Sequence, residues 1–557
     1  MKRYFLIYLI LMSGLGIVVS NSYLKSNKIT SYGDTYLKSY DSDTEYIVLE
    51  EYINTATLEL VYSDYEAEIV IEDNQLHYDI NNIIMGKYNL EFFDYVYISM
   101  YAPFVTLAYE GEENTFINKL LMFDRDERIS EISVYREHEV ISYVNGGDLG
   151  GPNDCTYPDP ITGCGGGAGR PPATTDPKYP NLGSVPETGG DTYYSTKIGI
   201  IDGKVPNFND PALSNTNWKV KKYDTGYSDL HATLVAKEIK NRYEDLSPYN
   251  SNHYVFLAAS SSGLYSIFEE IEWMISEDVS VINISMGSGT PYDSRAKQLD
   301  YIIYTNNLPI VAALPNIAQA EAVTFPGLCH NTIAVGRLGN NNIAMTNEYV
   351  YNETFDVSKP NLVDNGDSTS DKVGTSFATP KVTAKIAKLL WFAPYLRYNL
   401  PLLISIVHSG SDLEGVSFDN PSYDPSGLED KVGSGIVEYA RMKDIAYFDQ
   451  YRTVSKVVDK NEVVLEYNIP IVQKNQRIYI SAVSLGYGSS QTNIVIPKMS
   501  MVVEKNMVAV RSISANNLLY VYTDIRVGNN IRIKVTYKGN NMEEAHRFAL
   551  SWRYKDL

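Results

Sequence analysis

Hydrophobic and polar positions divide the chain into four regimes. Over residues 23–145, short apolar alternations dominate. "YVYISM" (95–100) and "EISVY" (131–135) predict strands, and "ENTFINKLLMF" between them predicts a helix, giving a small α+β unit. Residues 146–192 carry Gly/Pro clusters such as "TGCGGGAGRPP" and cannot bury a core, so an exposed linker is expected. Over 193–445 the pattern changes. The apolar runs "KIGIID", "VSVINISMG", "LPIVAAL" and "NTIAVG" alternate with segments of helical period, one of which sets Ile267, Phe268, Ile271, Met274 and Ile275 on one face. Fully apolar strands between amphipathic helices predict a parallel sheet covered on both faces, hence an α/β fold. Over 446–557 the helices stop. Seven short strands, from "EVVLEYNIPI" to "RFALSWRY", are separated by Asn/Gly-rich turns and predict a C-terminal β-sandwich.

The first 22 residues depart from all of this. Lys2 and Arg3 precede an apolar run over 4–19 and then small polar residues, the layout of a secretory signal peptide. Secretion is therefore expected, with no membrane contact except through an uncleaved signal. The 557 residues carry 47 basic and 68 acidic side chains, a net charge of −21. That balance argues against a nucleic-acid partner, which would require a basic face. Three cysteines exclude a disulfide-dense scaffold. Cys155 and Cys164 flank a turn-rich octapeptide and either pair or stay reduced. Cys329, between apolar segments, is expected to be a buried thiol.

The α/β regime holds the candidate chemistry. Asp202 ends the strand "KIGIID". His231 opens the helix "HATLVAKEIKNR". Asn316 follows the strand "PIVAAL". Ser376, in "GTSFATP", stands at the mouth of a helix. Taken singly, each has an ordinary explanation as a turn residue or a cap. Together they are four polar residues at element edges of one α/β unit, in the order Asp, His, Asn, Ser.

With these blocks in view, the chain resembles the subtilisin-like serine proteases, the subtilases. "IGIIDG" resembles the family's Asp block, "HATLVA" its His block, "INISMG" its substrate-aligning strand, "PIVAALPN" its oxyanion block and "GTSFATPKV" its Ser block. The match spans about 195–445. Two departures stand out: Ala232 replaces the glycine usual after the histidine, and Leu314-Pro315 precedes Asn316 in place of Ala-Gly.

The resemblance implies an endopeptidase working through an acyl-enzyme. Ser376 is then the nucleophile, His231 the general base and Asp202 its orienting partner, and Asn316 helps bind the oxyanion. Ser285, Met286 and Gly287 pair with an extended peptide substrate. Gly374 and Thr375 leave room for substrate, and Pro380 is expected in the helix's first turn. The resemblance also makes residues 23–145 a prosegment that assists folding and inhibits the enzyme, with the cut expected in the linker. The chemistry needs no cofactor. Structural calcium is common in such proteins, but "NFNDPALSNTN" and "DNGDSTSD" lack ligand spacing and read as solvated turns. A maturation protease for one secreted partner, or a non-catalytic binding protein on the same scaffold, are the alternatives.

Overall fold

The computed structural model describes most of residues 196–557, with breaks such as 222–229, 247–253 and 317–324. Before residue 196 it describes Ser99, the strand Ser39–Asp41 and the strands named below. Residues 1–17, 21 and 22 of the expected signal sequence (1–22), the expected helix over 113–123, the linker and both Cys155 and Cys164 lie outside the described residues. Val18–Ser20 is a short strand paired with Tyr46–Val48.

The centre is a nine-stranded sheet. Its order is Asn217–Val220, Tyr254–Ser260, Thr196–Asp202, Val281–Ile284, Ile310–Ala313, Ile333–Leu338, Leu362–Asn365, Ile436–Val437 and Ser411–Asp412. Every neighbouring pair is parallel except the last. "VINI" and "IVAA" are buried at every position, as a sheet covered on both faces requires. On one face, Asn283 meets Thr383 of the helix Thr375–Phe392. On the other, Ile282 lies beside Gly199, where an added Cβ would strike Met274 of the helix Ser266–Ser276. Gly199 is thus the residue that lets that helix close on the sheet.

The chain enters at Thr196–Asp202, places Asn217–Val220 at one edge, fills the place between them with Tyr254–Ser260, then crosses and builds to the other side. The order reverses between Thr196–Asp202 and Val281–Ile284. A reversal of this kind opens a crevice at the carboxyl ends of the strands, which is where α/β sheets bind ligands. Asp202 and Ser285 stand at that crevice.

The C-terminal region is a sandwich of two four-stranded antiparallel sheets. All seven expected strands form. An eighth, Tyr451–Lys456, was not foreseen, because its largely exposed side chains carry no clear apolar alternation. The sandwich is joined to the α/β unit by a partly polar seam. Asn331 and Gly486 exchange two hydrogen bonds, of 2.9 and 2.7 Å, and Arg553 donates to the Ser409 carbonyl at 3.0 Å. Cys329 is buried and not disulfide-bonded.

Before residue 196 the main feature is a five-stranded sheet in the order Ile29–Tyr32, Ile129–Arg136, Thr55–Tyr62, Phe104–Glu110 and Tyr95–Ile98. It contains both strands expected from the sequence. Buried Ser99, just past its edge strand, bonds to Glu272 on the helix Ser266–Ser276. Further on, Ile141–Ser142 pairs antiparallel with Met286–Gly287.

Candidate active site

Asp202 is the last residue of its strand and is fully buried. Its Oδ1 accepts the Gly203 N–H at 2.7 Å, which fixes the carboxylate. Both carboxylate oxygens face His231 Nδ1, at 3.0 and 2.9 Å. With an ionised Asp202, Nδ1 carries the proton and Nε2 becomes the basic nitrogen. His231 is the second residue of the helix Leu230–Asp245, whose apolar face, with Val235 and Ile239, is buried. The methyl group of Ala232 is fully buried and accommodated there.

Ser376 is the second residue of the helix Thr375–Phe392. The next residue, Phe377, brings its ring to 5.7 Å from the His231 ring, so the two helices meet at these positions. One expectation needs correcting. Pro380 is the sixth helical residue, in the second turn and not the first. It therefore removes the N–H that would bond to the Ser376 carbonyl four residues back. Ser285 repairs the loss: its Oγ donates to the Ser376 carbonyl at 3.0 Å. In return the Ser376 Oγ donates to the Ser285 carbonyl at 3.1 Å.

Residues that sequence reasoning missed hold this pair. Thr383 Oγ1 donates to Asn283 Oδ1 at 3.0 Å, and Asn283 Nδ2 donates to Ser285 Oγ at 2.9 Å. All three side chains are fully buried. The only sequence signal was a lone Asn in the middle of an apolar strand, which needs a partner when buried.

Asn316 is held just as firmly. Its Oδ1 accepts the Thr375 N–H at 2.9 Å and lies 3.3 Å from the Thr375 hydroxyl, which donates to the Leu314 carbonyl at 2.5 Å. Pro315 does not disturb this. With its oxygen so engaged, the buried Nδ2 has no partner among the described residues. An amide nitrogen left bare in a buried place is a ready donor to an incoming anion.

Two buried lysines brace the approach to Ser376. The Lys381 ammonium donates to the carbonyls of Asn365 and Asp367, at 3.0 and 2.5 Å, and burial pulls its pKa down. Lys385 pairs with Asp364 at 2.7 Å and bonds the Val437 carbonyl at 2.6 Å. Among the described residues no group of three His, Cys, Asp or Glu is placed to hold a metal ion. Two of the carboxylates in the Asp/Asn-rich loops are engaged in ion pairs. Asp210 pairs with Lys237 at 2.6 Å, and Asp364 with Lys385.

The structure thus brings Asp202 and His231 into contact and Ser376 into contact with Ser285. It brings Asn316 to Thr375, the residue beside Ser376. Met286 and Gly287 form the short strand that follows Ser285.

The model of the subtilase family matches residues 79–400. The chain belongs to the subtilase family. Subtilisin NAT of Bacillus subtilis subsp. natto is 27% identical over 236 residues, which is 35% of this chain and 61% of that protein. The chain thus spans about three-fifths of this subtilase's length. Among solved structures, fervidolysin from Fervidobacterium pennivorans, a keratinolytic enzyme related to subtilisin, is 12% identical with a TM-score of 0.43, covering 93% of this chain and 72% of that one. The epidermin leader peptide processing serine protease of Staphylococcus aureus is 13% identical with a TM-score of 0.42, covering 70% and 98%. Membership of the subtilases rests on the family match.

Proposed function

We propose that this subtilase is a secreted serine endopeptidase, made as a self-processing zymogen. The observation that carries the reading is the double contact of Asp202 with His231 Nδ1, beside the helix that begins at Ser376. In this reading Ser376 attacks the peptide carbonyl while His231 Nε2 takes its proton. His231 then returns the proton to the departing amine, and water releases the acyl group by the reverse steps. Asp202 holds the imidazole in the right tautomer and stabilises its positive charge. The bare Asn316 amide and the Ser376 N–H receive the oxyanion.

Substrate lies as an added strand along Ser285, Met286 and Gly287, so that backbone pairing supplies affinity. The pairing of Ile141–Ser142 with Met286–Gly287 supports a prosegment that blocks this groove until it is removed. No cofactor takes part. Structural calcium would need ligands other than the loop carboxylates described above.

The test is casein hydrolysis by the purified chain and by its Ser376→Ala variant. Activity confined to the unaltered chain supports the reading, and equal activity in both overturns it.

A further inference from the structure

Three loops are knitted together at one end of the C-terminal sandwich. The turn at Asn506 and Met507 joins the strands Met499–Lys505 and Val508–Ala515. The Asn506 N–H donates to the Asn530 carbonyl at 2.8 Å, and the Asn530 N–H donates to Asn506 Oδ1 at 2.9 Å. The turn that ends at Asn530 is tied in turn to the loop after Val463–Ile469. There the Val527 N–H donates to Asn475 Oδ1 at 3.1 Å and the Gly528 N–H to the Val472 carbonyl at 2.9 Å. Gly486 and Asn517, which bond Asn331 and the His330 carbonyl, lie past the opposite ends of the strands Gln476–Val483 and Leu518–Ile525. The knitted tip is therefore at the end of the sandwich away from those two contacts.

Two features of the tip have no explanation within the fold. The first is Met507. Asn506 and Met507 have φ of 50° and 67°, and the second place of such a two-residue turn ordinarily holds glycine. A methionine there strains the backbone and gains no burial in return, since it is 88% exposed. Val508 and, on the adjoining turn, Val527 are 65% and 61% exposed. The second feature is charge. Residues 446–557 carry 15 basic and 9 acidic side chains, whereas the whole chain carries 47 and 68. Part of that local excess gathers at the tip, as Lys474, Arg477, Lys505, Arg511 and Arg526. Burial, and then the neighbouring Arg511 and Arg526 against the pull of Asp524, lower the pKa of the Lys505 ammonium. The carboxylates at this end are Asp524, taken by Arg477 at 2.6 Å, and Asp556, 3.6 Å from Lys474. Further in, Glu466 and Glu504 are matched by Arg532 and Lys534.

We propose that this tip docks the protein on an anionic lipid surface, with Met507 and Val527 entering the headgroup layer and Lys474, Arg511 and Arg526 lying against the lipid phosphates. Exposed apolar side chains set among cations gain from both parts of such an interface. A soluble polyanion would use the cations alone, and the same tip on a second copy would bring like charge against like. Apolar runs in the sequence do not announce this surface, because its residues are scattered over three loops. The inference goes beyond the peptidase reading and does not depend on it.

The experiment is co-sedimentation of the full chain with phosphatidylcholine vesicles, with mixed phosphatidylglycerol and phosphatidylcholine vesicles, and with the mixed vesicles at raised salt. The chain is expected to bind the mixed vesicles, to leave the neutral ones and to be released by salt. Arg511→Glu with Arg526→Glu is expected to weaken binding about tenfold or more. Met507→Gly is expected to weaken it about threefold or more while keeping or raising thermal stability, because glycine suits the turn. Thermal unfolding of each variant separates lost binding from lost folding. No binding to the mixed vesicles overturns the inference. Binding that survives both variants places the lipid contact elsewhere in the chain and also overturns it. Binding untouched by Met507→Gly and matched by soluble polyphosphate assigns the tip to a polyanion, and the lipid reading falls.

Discussion

Ser285 and Ser376 hold each other by two hydrogen bonds, each hydroxyl donating to the other's carbonyl, at 3.0 and 3.1 Å. The arrangement follows from Pro380. A proline four residues after Ser376 leaves a buried helix carbonyl without its usual donor, and Ser285 supplies one.

Removing that donor has a calculable cost. Ser285→Ala is expected to destabilise the protein by about 1–3 kcal/mol, the range for a buried polar group left unsatisfied. Pro380→Ala restores an N–H at the position that bonds Ser376, so Ser285→Ala is expected to cost less in that background. A double-mutant cycle measured by urea unfolding checks this, and strictly additive effects would count against it.

Asn316→Ala tests the bare amide. The expected result is a fall in kcat of about 10²–10³ with KM little changed, since in the proposed mechanism the amide meets charge only in the transition state. That range comes from the corresponding asparagine of subtilisin, so it is a family value and not an independent one. Steady-state kinetics on a peptide substrate decide the matter.

Lys385 and Asp364 form a buried pair, with side chains 1% and 5% exposed. Lys385→Met leaves Asp364 buried and uncompensated and is expected to cost about 3–5 kcal/mol. Adding Asp364→Asn is expected to recover part of the loss, as thermal or chemical unfolding of the three variants will report.

His408 carries a pH dependence. It is fully buried and its Nδ1 lies 3.0 Å from Ser434 Oγ. The Ser434 hydroxyl is donated to the Asn361 carbonyl, so the imidazole supplies the proton at Nδ1. Burial lowers its pKa from 6.5 to about 3. As pH falls below 6.5 the unfolded chain takes up a proton that the folded one refuses. The stability linked to His408 is therefore present above pH 6.5 and lost as pH falls towards 3. The slope is about 1.4 kcal/mol per pH unit once the unfolded imidazole is fully protonated. His408→Asn is expected to flatten the profile between pH 6 and 4 in urea titrations. An unchanged slope would assign the acid sensitivity to other groups.

Much of the fold was legible because each regime has its own period. Fully apolar "VINI" and "IVAA" announced a covered parallel sheet, and strand-and-turn spacing announced the sandwich. Asp202, His231, Asn316 and Ser376 were legible because they stand at element edges in a telling order. The supports of the site were not. Thr383 reaches Asn283 across 100 residues of chain, and a threonine within a helix carries no mark of such a contact. Lys381 and Lys385 look like solvated helix charges until the sheet's carbonyls and Asp364 are seen around them. Pro380 was placed one turn too early because the helix begins already at Thr375, so its effect on Ser376 went unnoticed.

The central claim is that Ser376 is a nucleophile activated by His231. Labelling with a fluorophosphonate probe, followed by peptide mapping, tests it most directly. The account predicts one modified serine, Ser376, in the processed protein, and a large loss of labelling in His231→Ala. Absence of label on Ser376 in a preparation that still cleaves casein would contradict it.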